Sequence, residues 1–371
     1  MPDAGIVRRR GRASRGGTRL TAGAPRAVPA AQWRPESNRA QAKGSDVYPV
    51  RFGVFLPTGD VNEAIAAALR AERDGLYSVS TNDHFWSPLG SPESPQNECF
   101  TILTAIAAMT SRIRLAPAVI AASFRTPPLL AKMVATLDHV SRGRFICGLG
   151  AGWQDKEYIA AGYAFPKLKD RLAQLDETIQ VMKAMWTEDK PNFQGEHFHI
   201  HDLHANPRPL SKPYPQIMLG GSGTGLLRIA AREASVINLI PPTGNGKDFV
   251  NDPAATLKFD MADLKRRIDM LHGFMREAGR EPSSMELGGL VMLGISKDKN
   301  DATLRGLASH LGFPDYASAQ KAPVCLLGTP EEVKREIAER VANTGVTYYI
   351  VFPATPDTQQ LLVDEVMPAF C

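Results

Sequence analysis

From Arg51 onward the chain repeats one beat: a short apolar run, a turn, then apolar residues at helical spacing. Arg51–Pro57 (RFGVFLP) predicts a buried strand. Val61–Asp74, with Ile65, Ala68 and Leu69 spaced for one face, predicts a helix that Gly75 ends. Tyr77–His84 predicts a second strand and Glu98–Thr110 an apolar helix. Ile113–Ile120 is a third strand, and Pro127–Val140 a helix with Pro at its start. Phe145–Gly152 and Lys169–Trp186 complete a fourth pair. Asn192–Asn206 then breaks the beat with alternating polar and apolar residues around Gly195, as in a small hairpin.

The beat resumes with Pro215–Gly221, a helix over Gly225–Arg232 and a strand over Ser235–Pro242. A Pro/Gly/Asn-rich loop, Pro241–Pro253, leads to a helix near Ala262–Ala278 and a strand at Glu286–Gly294. A helical region at Asn300–Leu311, the run Val324–Gly328, a helix at Pro330–Asn343, a strand at Thr347–Pro353 and a final helix at Asp357–Met367 follow. Eight strands alternating with helices predict an α/β fold, a (β/α)8 TIM barrel with insertions. A doubly wound sheet would want a GxGxxG turn after its first strand, and Thr58-Gly59-Asp60 stands there instead. The barrel brings the ends of its strands, at Leu56, His84, Ile120, Gly152, Gly221 and Ile240, around one open face.

Composition changes this picture at one end only. Apolar residues at 43% and charged residues at 22% describe a soluble globular protein, and no apolar run approaches the roughly 20 residues of a membrane helix. The four cysteines, Cys99, Cys147, Cys325 and Cys371, form no CxxC, which fits a reducing cytoplasm. Residues 1–46 hold nine Arg and one Lys against Asp3, Glu36 and Asp46; their net +7 exceeds the total of +4 and leaves the remainder at −3. Residues 1–48 lack hydrophobic periodicity and read as a disordered basic extension preceding a domain over 49–371. The mildly acidic body predicts neither a nucleic-acid nor a membrane partner. A nucleic-acid role working through the basic tail is a separate reading.

Candidate chemistry clusters at the strand ends. Gly148, Gly150 and Gly152 alternate at the end of the fourth strand, and glycines on one strand face suit close approach by a backbone or a flat ligand. His84 stands at the end of the second strand, and histidine as a residue type suits proton transfer during a redox step, with Asp83 beside it to orient or charge the ring. Leu219-Gly220-Gly221-Ser222-Gly223-Thr224-Gly225 precedes a helix, where small residues let backbone N–H groups reach a phosphate. Alternation puts His197, His199 and His201 on one strand face, with His204 beyond, but no nearby cysteine supports a metal site and none is assigned.

Asn82-Asp83-His84-Phe85, Ser111-Arg112-Ile113-Arg114-Leu115, Phe124-Arg125-Thr126-Pro127-Pro128, Leu137-Asp138, Ser141-Arg142-Gly143-Arg144, Gly148 to Trp153, Met185-Trp186, Asn206-Pro207-Arg208-Pro209 and Leu219 to Gly223 fall in one order. That ordered set resembles the luciferase-like monooxygenase superfamily, most closely its branch that uses the deazaflavin coenzyme F420. The resemblance implies a bacterial luciferase-like TIM barrel, a homodimer, and hydride transfer to or from F420; Trp153, Phe85, Trp86 and the long Pro241–Pro253 loop suggest an apolar, partly lidded pocket and so a small neutral organic substrate. It implies that His84 and Asp83 stand against the deazaflavin ring and that the Ala118–Val119 peptide is cis and backs it. Gly150, Gly152 and Trp153 border the ring, while Gly220, Gly221, Ser222, Gly223 and the Tyr158 hydroxyl take the phosphate. Phe85 and Trp86 wall the pocket; Lys156, Lys247 and Arg125 are candidates to meet the acidic cofactor tail. Two departures stand out. Ala121 replaces a hydroxyl residue of some relatives, and Trp153 replaces a Glu of sugar-phosphate-oxidising relatives. The alternatives on the same fold are an FMN-dependent monooxygenase and a non-catalytic flavin-binding protein.

Overall fold

The computed structural model describes residues 48–88, 91–242 and 253–370. One parallel sheet of ten segments closes on itself. Eight strands make the ring: Arg51–Phe55, Ser78–Ser80, a third in two pieces (Arg114–Leu115 and Ile120–Ala121), Ile146–Gly150, Gln216–Gly220, Val236–Leu239, Glu286–Ile295 and Val346–Pro353. The remaining segment, Cys325–Gly328, pairs with the seventh strand outside the ring. Closure comes where Ile120 and Ala121 pair with Leu149 and Gly150, and where Leu115 bridges Phe145. This is the (β/α)8 barrel that the alternation predicts.

The third strand departs from its expected unbroken run. Ala116 and Ala118 donate to Val79 and Thr81 carbonyls, but Pro117 between them has no N–H to give. The second strand stops at Ser80 rather than His84, because the side chains of Asn82 and Asp83 are held by Gln96 and Arg125 beyond the sheet. The final helix is also not one piece: Pro356–Leu361 passes into a π turn, Leu362–Val366, and a 3-10 turn, Met367–Ala369, around Pro368.

Phe55, Ala116, Ile146, Met218, Val236, Tyr348 and Ile350 form one buried cluster, and a larger one packs the strands against the helices. The N-terminal end of the barrel is tied by polar side chains. Arg51 meets the buried Glu286 at 3.0 Å. Arg144 donates to the carbonyls of Ala107, Thr110 and Ile113, closing the end of the helix Cys99–Met109. Burial lowers the Arg144 pKa to about 10.

Two excursions leave the ring. Phe193–Gln194 and His199–Ile200 form the expected hairpin, whose turn amides at Glu196, His197 and Phe198 donate to the Glu177 carboxylate. Between the seventh and eighth strands lie the helices Ala302–His310 and Tyr316–Lys321 and the strand Cys325–Gly328. Their apolar residues, with Phe313 and Ala322, pack into a separate buried cluster. The expected basic extension lies outside the described residues up to position 47, as do positions 243–252 of the expected Pro/Gly loop. Among the described residues no helix is long and apolar enough to cross a membrane.

Candidate functional site

A cavity of about 380 Å3 opens at the C-terminal ends of the strands. His84, Asp83, Ala118, Val119, Gly150, Gly152, Trp153, Tyr158, Gly220, Gly221, Ser222 and Gly223 all line it. The third-strand break shapes its floor. The Ala118–Val119 peptide is cis. A Cβ on Gly148 would sit 1.9 Å from the Pro117 carbonyl oxygen. On Gly150 it would sit 2.6 Å from Val119 Cγ2, and on Gly220 2.8 Å from Val119 Cγ1. The glycine face is therefore not bare: the third strand fills it, and Val119 in turn lines the cavity.

Gly152 has φ +76°, and a Cβ there would meet the Tyr158 hydroxyl at 2.0 Å. Tyr158 is buried on the short helix Asp155–Ala160. Its hydroxyl lies 2.7 Å from Ser123 Oγ, so the group expected at a phosphate already has a protein partner. Burial pushes that hydroxyl up to about 12.

His84 and Asp83 are adjacent in sequence and part in space. Asp83 takes two hydrogen bonds from Arg125, at 2.7 and 3.0 Å, and one from the Ala121 amide at 3.0 Å. Successive residues in extended chain point to opposite sides, so Asp83 does not orient the ring as expected. The carboxylate that does is Glu157. Its Oε2 lies 2.7 Å from His84 Nδ1, its Oε1 accepts from the Phe85 amide, and its side chain is fully buried. In the sequence Glu157-Tyr158 adds to the likeness to deazaflavin enzymes, but Glu157 lies near Asp155 in a first helical turn, where acids are ordinary, and no role was assigned to it. Trp153 meets the His84 ring edge-on, with centroids 5.5 Å apart.

At the other side, the loop Gly220–Gly223 leads into the helix Thr224–Glu233. No side chain caps that helix, and a Cβ on Gly223 would meet nothing within 4 Å. Its first amides are thus open to an anion. Ser222 is buried, and its hydroxyl donates to the Ile240 carbonyl. Arg267 donates to the Ser222 carbonyl at 2.7 Å and holds the loop. Asn238 lines the cavity beside this loop; it is buried, and its Oδ1 has no hydrogen-bond partner among the described residues. A buried acceptor without a donor suits a ligand N–H or O–H.

Several expectations fall elsewhere. Phe85 is exposed, meeting Phe124 edge-on and Tyr163 at a tilt, and neither it nor Trp86 is among the cavity-lining residues; Pro88 and Trp153 wall that side. Arg125 is consumed by Asp83 and Glu98. Lys156 is exposed on the short helix, and Lys247 lies outside the described residues. No group of three His, Cys, Asp or Glu among the described residues is placed to hold a metal ion. The insertion before the eighth strand was not foreseen as part of the site. Leu311, Phe313 and Val324 carry it to the cavity, alongside Met292, which packs against the same cluster.

A parallel barrel with a histidine–carboxylate pair, an uncapped helix start and an orphan amide acceptor around one apolar cavity fits a flat, phosphate-bearing cofactor. The chain belongs to the luciferase-like monooxygenase family, whose model matches residues 47–323. It is 33% identical over 186 residues to an F420-dependent glucose-6-phosphate dehydrogenase of Kineococcus radiotolerans, covering 50% of this chain and 53% of that one. It is 30% identical over 199 residues to an FMNH2-dependent dimethylsulfone monooxygenase of Pseudomonas putida, covering 50% and 54%. The chain thus spans about half the length of the curated relatives it matches. An F420-dependent secondary alcohol dehydrogenase, solved with an F420-acetone adduct, superposes with a TM-score of 0.71 at 20% identity, over 87% of this chain and 100% of that one. At that identity the likeness is one of fold.

Proposed function

We propose that this chain is an oxidoreductase that transfers a hydride between coenzyme F420 and a small neutral organic substrate. The observation that carries the reading is the His84–Glu157 pair on the wall of the cavity, beside the floor made by Val119. Coenzyme F420, when bound, supplies a carbon-centred hydride carrier that does not activate oxygen. The chain supplies the rest. Val119, Gly150 and Gly220 support the ring, and the amides at the start of the helix Thr224–Glu233 take the phosphate. Asn238 Oδ1 accepts from a ring N–H. His84 gives or takes the substrate proton at its free nitrogen. Trp153 and Pro88 exclude water from that side.

The substrate is neutral on this reading because the described cavity wall contains no Lys or Arg. A phosphate ester has no cation there to meet. The proposal therefore differs in substrate from the glucose-6-phosphate dehydrogenases to which the chain is similar. A soluble cytoplasmic homodimer acting on a diffusible substrate goes with this reading.

Equilibrium titration with F420 and with FMN tests it. Tighter F420 binding is expected, with His84→Ala binding nearly as well while hydride transfer slows by roughly 10²–10⁴-fold. Tight FMN binding with oxygen-dependent turnover supports the FMN monooxygenase instead, a reading favoured by the 30% identity to the dimethylsulfone enzyme. Binding without turnover of any electron acceptor leaves a flavin-binding protein.

A further inference from the structure

We infer that Glu157 is a positioning residue that fixes the tautomer of His84, so that a lone pair on Nε2, not an N–H, faces the cavity in the neutral ring. The inference rests on the proposed function for its use, but not for its test. Glu157 is fully buried, and its two oxygens have different partners. Oε1 accepts from the Phe85 backbone amide, which can only donate. Oε2 lies 2.7 Å from His84 Nδ1. A carboxylate only accepts, so Nδ1 must carry the proton. A neutral imidazole has one N–H, so Nε2 is left with a lone pair.

The ring itself is placed to use that lone pair. His84 lines the cavity with a side chain 13% exposed, and Nδ1 is turned back to the buried acid. No described residue hydrogen-bonds Nε2. Trp153 abuts the ring edge-on and restrains its rotation. A substrate hydroxyl in the cavity would therefore meet an acceptor. When that hydroxyl is oxidised, its proton goes to Nε2 as the hydride leaves its carbon; in the reverse direction Nε2–H returns the proton to the carbonyl oxygen. Atoms and electrons balance with the hydride carrier as the other redox partner.

The amide substitution has an unusual consequence. Glu157→Gln keeps shape and volume but has one acceptor oxygen and one NH2 group. The Phe85 amide needs the oxygen. The NH2 group then faces Nδ1, which must become the acceptor, and the ring proton moves to Nε2. The variant should thus invert the tautomer while leaving the fold in place.

The test is 15N NMR of the full chain labelled at histidine, without cofactor, followed along a pH series. The chain has eight histidines, and loss of one signal set in His84→Asn assigns the ring. In the wild type His84 is expected as the Nδ1–H tautomer; in Glu157→Gln as the Nε2–H tautomer; in Glu157→Asp, which keeps an acceptor-only carboxylate, as Nδ1–H again. Hydride transfer in Glu157→Gln should fall by a large part of the roughly 10²–10⁴-fold that a placed acid–base group supplies. Glu157→Asp should recover more of it. An Nε2–H tautomer in the wild type, or the same tautomer in wild type and Glu157→Gln, overturns the inference, and the wild-type spectrum decides even if the variant fails to fold. Correct tautomers in a chain that does not turn over F420 would leave the inference standing and overturn the proposed function instead.

Discussion

Arg125 grips Asp83 with both terminal nitrogens, at 2.7 and 3.0 Å, and reaches Glu98 at 2.7 Å. Asp83 passes the restraint on to the Ala121 amide at 3.0 Å, so one ion pair fixes the end of the third strand beside His84. Burial works against the Arg125 charge, but the hydrogen bonds and charge of Asp83 outweigh it and raise its pKa. Asp83 thus supports the site by holding backbone, and a catalytic role for it is not needed. The side chains are only 11% and 6% exposed. Arg125→Met leaves a buried carboxylate without its partner, which costs about 3–5 kcal/mol. We expect a lower urea midpoint and weaker cofactor binding together. Adding Asp83→Asn should restore part of the stability, and an unchanged midpoint in the single variant would contradict this account.

The helix Thr224–Glu233 begins at Gly223, where a side chain has open space and no cap is present. Gly223→Asp supplies a good N-cap acceptor, so the fold should be unharmed or slightly firmer. The same carboxylate occupies the amides and repels a phosphate. Cofactor affinity should drop markedly while the melting temperature holds or rises, as titration and thermal unfolding would show. Unchanged affinity would move the anion site elsewhere. Ser222 is a poorer probe, because its buried hydroxyl already donates to Ile240.

Burial raises the Tyr158 hydroxyl from the ordinary 10.0 to about 12. A group whose folded pKa lies above its unfolded value favours the folded state below the unfolded pKa. That contribution is lost as pH rises from 10.0 towards about 12. Tyr158→Phe cannot ionise. It should lose the Ser123 hydrogen bond at neutral pH and be the less stable chain there, by about 0.5–1.5 kcal/mol. Through the alkaline window its stability should fall less than that of the wild type, closing or reversing the gap by about 2–3 kcal/mol. Urea unfolding of both chains across that range measures it, and parallel curves would show that Tyr158 does not ionise with unfolding there.

The ring of eight strands was legible because each carries a buried apolar run, and the helices between them carry apolar faces. The breaks of pattern that matter chemically, at His84 and in the two glycine stretches, were read at strand ends. The other candidates, Ala118, Val119, Trp153 and Tyr158 among them, came from the family resemblance, and all twelve converge on one cavity. Their contacts were less legible. Gly150 and Gly220 signalled a close approach, but a sequence does not say whether ligand or protein approaches; here Val119 comes within 2.6 and 2.8 Å of where a Cβ would stand. Asp83 precedes His84 and pairs with Arg125, 42 positions on, while Glu157, 73 positions on, holds the ring. Pairing across such separations depends on which side chains the barrel turns inward, and local periodicity carries no record of it. The insertion is the same case. Its first helix was visible and its second, Tyr316–Lys321, was not, and their packing depends on Cys325–Gly328 adding to the seventh strand.

That insertion sets the last prediction. Leu311 is half-buried, packs beside Phe313, and lines the cavity. It belongs to the segment between the seventh and eighth strands, and not to the elements that carry Val119, His84 or the helix Thr224–Glu233. Leu311→Ala should therefore enlarge the substrate end of the cavity and leave the cofactor bed intact. A partly exposed leucine costs less on truncation than the 2–5 kcal/mol of a fully buried one, so the chain should fold. In a homologous series of neutral alcohols or ketones, the optimum should move to substrates with more carbons. One methylene in an apolar pocket is worth about 1–3 kcal/mol, or roughly 10–200-fold in kcat/KM. The measurement is kcat/KM along the series for wild type and variant, with cofactor titration beside it. An unchanged optimum with unchanged cofactor binding would place the substrate away from the insertion; a loss of cofactor binding alone would assign Leu311 to the cofactor instead.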